Sequence, residues 1–164
     1  MTKKKGFTLI ELLVVIAIIG LLSTLAVVAL NSARRRARDA KRVADIKQVQ
    51  TALELYYNDQ DEYPTGTTLA LGEVDGNASC TTDCLCLGST AGFAATCDGT
   101  VYMGLIPANP SPNGADYVYS GLDDDELACA GGGDCSDYDL TFEIEGSVGS
   151  LSVGARTASP EGIK

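Results

Sequence analysis

Six cysteines, at positions 80, 84, 86, 97, 129 and 135, are the side chains of this 164-residue sequence best able to form covalent or metal bonds. The sequence has no histidine, so the side chain that most often serves as acid–base catalyst and neutral metal ligand is missing. Ser-His-Asp triads and histidine zinc sites are excluded. Cys80, Cys84, Cys86 and Cys97 could together ligate a metal, but their C-x3-C-x-C-x10-C spacing lacks the paired C-x2-C knuckles of zinc ribbons. An even number of cysteines in a short Gly-rich region fits disulfides made in an oxidising compartment better. A bridge between Cys84 and Cys86 would close a strained ring, which leaves two pairings open: 80 with 84 and 86 with 97, or 80 with 86 and 84 with 97. Cys129 and Cys135 flank a short loop that can bring their Cα atoms to the ~5.5 Å of a bridge, so these two are expected to pair.

Carboxylates form the second group. Asp123, Asp124 and Asp125 stand before a Gly131-Gly132-Gly133 loop, and Asp134 and Asp137 follow it. Hard cations take several oxygen ligands at about 2.3–2.6 Å, which makes these five acids candidate calcium ligands, although their spacing does not follow the EF-hand. The alternative is a solvated acidic turn without any cofactor. The third candidate is a lone acid, Glu11, inside the otherwise non-ionisable run Phe7 to Leu30. As a helix that run would extend ~36 Å, enough to cross a hydrocarbon core of ~30 Å. An acid at such depth costs about 2.5–3.5 kcal/mol on insertion scales and needs a reason to persist. If the chain were cut after Gly6, the new amine of Phe7 would lie four residues before Glu11 on the same helix face, where it could pair with this carboxylate or a neighbour's.

Gly6-Phe7-Thr8-Leu9-Ile10-Glu11 with Lys3 to Lys5 upstream resembles the class III signal of type IV pilins and of the pseudopilins of type II secretion systems, with the likeness running to about Pro64. The resemblance implies cleavage by a prepilin peptidase between Gly6 and Phe7, N-methylation of Phe7, ordering of subunit assembly by Glu11, and handling by an inner-membrane assembly platform. Gly20 is similar to a helix-weakening glycine of that segment, but the proline that often follows it is absent, the first proline here being Pro64. The stretch from Ile106-Pro107 to Tyr117-Val118-Tyr119 is loosely similar to one that precedes the calcium loop of major pseudopilins.

These residues need elements to hold them. From Asn31 to Tyr57 there is no Pro or Gly, and Ile46, Val49, Leu53 and Tyr56 recur at steps of 3, 4 and 3. This predicts that the membrane helix continues as an amphipathic stem with one apolar stripe, Asp39, Lys41, Asp45, Lys47 and Glu54 falling mostly on other faces, until Asn58 to Pro64 stops it. Tyr138, Leu140, Phe142 and Ile144 alternate with polar residues and predict a half-buried strand. A short strand at Tyr117 to Tyr119 and another at Leu151 to Ala155 would complete an antiparallel sheet of three or four strands against the stem. Residues 65–99 show no period and read as a disulfide-stapled loop region with a short helix near Gly88 to Ala95. The fold class expected is α+β, a ladle divided into leader (1–6), membrane or filament-core helix (7–30), stem (31–63) and acidic head (64–164).

Charge is as uneven as hydropathy. Residues 1–47 carry ten of the twelve Lys and Arg against three acids, a net +7, whereas 48–164 carry two cations and nineteen acids, a net −17. The acidic head disfavours nucleic acid. Arg34, Arg35, Arg36, Arg38, Lys41 and Arg42 would on the positive-inside rule hold the head in the cytoplasm. The cysteines argue for an extracytoplasmic head, and the basic run is then either a stem segment reaching lipid headgroups or a partner for acidic heads of adjacent subunits. The function expected is structural, not enzymatic: a pilin stored in the cytoplasmic membrane and polymerised, alone or with other subunits, into a surface filament. The alternatives are a pseudopilin of a type II secretion or DNA-uptake system, and a single-pass anchored adhesin or enzyme.

Overall fold

The computed structural model describes residues 6–72, 84–112, 114–129 and 134–164. One helix, α1 (Leu9–Gln60), runs unbroken through the expected boundary between membrane segment and stem, with Gly20 inside it. Thr8 caps its start in an extended conformation, and Asp61 ends it in the left-handed region, donating its N–H to the Tyr57 carbonyl at 2.8 Å. Over residues 9–31 the helix is exposed on all sides: Leu9, Leu21 and Val28 are 78%, 66% and 71% exposed. That surface is long and apolar enough to cross a membrane.

The second half of α1 is amphipathic as its period requires, with Ile46, Val49, Leu53 and Tyr56 buried. Among the described residues eight strands form two antiparallel sheets, and β5 (Tyr117–Leu122) and β6 (Asp137–Ile144) are central to the larger. The larger has the order β1-β5-β6-β7-β8, with β1 at Leu69–Leu71, β7 at Gly154–Ser159 and β8 at Gly162–Ile163; the smaller has the order β3-β2-β4, with β2 at Cys86–Gly88, β3 at Gly92–Ala94 and β4 at Val101–Met103. Tyr138, Leu140, Phe142 and Ile144 point inward on β6 and meet the stripe of α1, so the alternation and the stripe find each other.

Three expectations are corrected. Gly88 to Ala95 is no helix but the hairpin β2–β3, because Gly92 adopts φ +66° and turns the chain between two short paired strands. Leu151 to Ala155 is not the strand after β6: Val148 and Leu151 exchange both backbone hydrogen bonds at 3.0 Å in a tight turn, which delays β7 to Gly154. Among the described residues the main sheet has five strands rather than three or four, because Leu69–Leu71 and Gly162–Ile163 add short strands at its two edges.

Candidate functional site

At the N-terminal end, residues 6–8 are non-helical and exposed, so the Gly6–Phe7 bond is open to an enzyme and Phe7 projects 84% exposed. Glu11 turns back on the cap. Its Oε2 accepts from the Thr8 backbone N–H at 2.8 Å and from Thr8 Oγ1 at 2.6 Å, while Thr8 Oγ1 accepts from the Glu11 N–H at 3.4 Å. This reciprocal capping box satisfies helix N–H donors that have no partner within the helix. Glu11 therefore serves the helix as well as any assembly, a use that the apolar context alone did not suggest.

The junction of stem and head holds the residues that sequence reasoning missed. Arg42 and Asp39 are completely buried, with Arg42 Nη1 2.6 Å from Asp39 Oδ1 and 2.8 Å from Glu145 Oε1. Arg42 Nε donates to Asn109 Oδ1 at 2.7 Å, and Arg38 forks onto Glu145 at 2.8 and 2.5 Å. Asp39 also accepts from the backbone N–H groups of Glu145 and Gly146 at 3.0 and 2.7 Å. Two cations and two carboxylates thus cancel, with each buried carboxylate held by several donors, the condition under which charges can be buried at all. Asp45 is buried too, accepting from the Tyr117 hydroxyl at 3.2 Å, and burial raises its carboxyl above the ordinary range. Asp39 and Asp45 thus lie on the head-facing side, not on the other faces expected. Continuing the stripe backwards from Ile46 by four and then three residues reaches Arg42 and Asp39; that signal was present.

Hydrogen bonds from Arg38 hold the Glu145 carboxyl down at about 2. A depressed carboxylate stabilises the fold above its unfolded value near 4.5 and loses that contribution as pH falls towards 2. Melting of the detergent-solubilised chain is expected to drop across this window, with Asp45, shifted the other way, offsetting part of it. Glu145→Gln should flatten the dependence; a variant that keeps the full acid slope would refute the assignment.

The cysteines divide. Cys86 and Cys97 are bridged with Cα atoms 6.0 Å apart, and Cys84 is also disulfide-bonded. This takes three of the four candidate sulfurs out of a metal site and selects 86 with 97 from the two pairings. Cys80 lies outside the described residues. The expected bridge between Cys129 and Cys135 is not formed: both are buried thiols. Burial and a hydrogen bond with Cys129 push the Cys135 thiol up to about 12. The candidate calcium ligands are not gathered either. Asp123 Oδ1 accepts from the N–H groups of Asp125 and Leu127, and Asp137 Oδ1 from the Tyr138 N–H. Among the described residues no group of three or more such ligands is placed to hold a metal ion; residues 131–133 lie outside them.

With this geometry in hand, comparison with known proteins is decisive. Residues 1–27 match the model of the prokaryotic N-terminal methylation motif. The type IV wide pilus major component PilA4 of Thermus thermophilus is 36% identical over 116 residues, covering 62% of this chain and 88% of that protein. The chain belongs to the type IV pilin family. This pilin is also similar to the type II secretion system core protein G of Escherichia coli, 44% identical over 63 residues, and of Vibrio cholerae, 40% identical over 65. Those matches cover 38% and 40% of the pilin, which spans less than half the length of these relatives, 43% and 44%. No solved structure matches the pilin.

Proposed function

We propose that the protein is the structural, non-enzymatic subunit of a type IV pilus-like filament. Residues 7–30 store it in the cytoplasmic membrane with the head outside; a prepilin peptidase cuts after Gly6, Phe7 is methylated, and an inner-membrane assembly platform feeds the subunit into a surface polymer of itself, alone or with related subunits. The similarity to PilA4 carries this reading, because it extends beyond the helix over most of a protein named as a major pilus component. The exposed apolar half of α1 supports it: lipid covers that surface in the stored subunit, and neighbouring helices cover it in a filament core. A pseudopilin role is favoured by the higher identity to core protein G, but that likeness covers only 63 residues, 38% of the chain. Immunoelectron microscopy of producing cells with antibody against the head separates the two. Labelled surface fibres support the pilus, label confined beneath the outer envelope supports the pseudopilus, and label spread as single molecules over the membrane would leave only an anchored protein.

The processing step has its own test. Mass spectrometry of assembled material is expected to find Phe7, carrying one methyl group on its amine, as the first residue. An intact Met1, or any other first residue, would sink the reading.

A further inference from the structure

The charges that the fold leaves uncompensated are separated along the stem. Arg34, Arg35 and Arg36 are exposed and form no ion pair among the described residues, and they sit about 3–6 Å of helix rise below Arg38, where the head begins. Successive residues turn by about 100°, so the three fan around the helix and make the base of the head positive. The opposite end of the head is negative. Asp59 and Asp61 are exposed at the end of α1, about 36 Å further along, and no basic residue stands in its last turn. The segment after β5 is tied to this end: the Tyr63 N–H donates to the Cys135 carbonyl at 2.8 Å and the Gly66 N–H to the Cys129 carbonyl at 3.0 Å. Asp124 and Asp125 on that loop are exposed, and their carboxylates take no hydrogen bond or ion pair among the described residues.

A helix C-terminus already carries negative charge from its macrodipole, where cations stabilise and acids do not. The acidic tip is therefore unfavourable in an isolated subunit and asks for cations from outside. Lipid headgroups would use the base and leave the tip exposed; a metal ion would use the tip and leave the base. Only a second copy uses both. We infer that Arg34, Arg35 and Arg36 at the base of one copy dock against Asp59, Asp61, Asp124 and Asp125 at the tip of the copy below it. This contact is heterologous, repeats without closing, and so propagates a filament. The inference rests on the filament reading and adds to it the head-to-base interface that sets axial order.

Charge reversal in producing cells tests it. Arg34→Glu with Arg35→Glu and Arg36→Glu, or Asp124→Lys with Asp125→Lys, is expected to cut surface filaments about tenfold or more, because like charges then face each other. Combining both sets in one chain should restore filaments to within a few-fold of wild type, which also shows that each reversed head still folds. Tip reversal that leaves filaments unchanged, or a combined chain that stays unassembled, overturns the interface while the filament reading stands; a wild-type chain that makes no filaments overturns both. As a second measurement, Arg35→Cys together with Asp125→Cys should give an intermolecular cross-linked ladder in assembled material that neither single variant gives. Assembled filaments without a ladder count against the contact.

Discussion

Arg42→Leu is expected to loosen the head from its stem, at a loss of about 3–5 kcal/mol, because it leaves two carboxylates facing each other in a buried site without their shared cation. Asp39 would keep its two backbone donors, and Glu145 would keep Arg38, so neither carboxylate is fully stranded. What disappears is the single group that touches Asp39, Glu145 and Asn109 at once. Arg42→Lys should recover only part of the loss, since an ammonium is a point charge and cannot reproduce the planar fork that reaches three partners. Thermal unfolding of the detergent-solubilised chain, followed by near-ultraviolet signals of the buried tyrosines, measures this. A midpoint for Arg42→Leu unchanged from wild type would show that the buried network contributes nothing net and that the apolar stripe alone seats the head.

The same network explains what was legible in the sequence and what was not. Periodicity located the stem stripe and the inward face of β6, because each spans enough residues for a period of 3.6 or 2 to show. It gave no access to β1, β2, β3 or β4, each three residues long, where a period of two has hardly begun before the chain turns. Arg42 and Asp39 were misplaced for a different reason. Charged side chains in a stem read as solvated, and only the backward extension of the stripe reveals that they share its face; what makes their burial tolerable is Glu145, more than a hundred residues away. Cys129 and Cys135 show the converse limit, since a short separation permits a bridge without requiring one. For the candidate site, the residue types and spacing around Gly6, Phe7 and Glu11 were enough to point to the N-terminal methylation motif that residues 1–27 match, whereas the capping partner Thr8 emerged only from the backbone conformation.

That partner changes how Glu11 has to be tested. Glu11→Ala removes two things at once, the carboxylate charge and the capping box with Thr8, so a loss of filaments in that variant would not say which mattered. Glu11→Gln separates them. A glutamine at the third helical position can still accept from the Thr8 N–H, as the capping box allows, but it offers no negative charge to the amine of Phe7. If the charge orders assembly, both variants should insert, be processed after Gly6 and accumulate in the membrane, while surface filaments fall to background in both. Insertion itself should be easier without the charge, by up to the ~2.5–3.5 kcal/mol that an acid at depth costs. The Gln variant should retain a helix start as protected from hydrogen exchange as wild type, and the Ala variant should fray there, since losing a cap costs ~1 kcal/mol. Filaments at the normal level in Glu11→Gln would assign the residue to the cap alone, and the pairing of Phe7 with Glu11 across subunits would have to be abandoned.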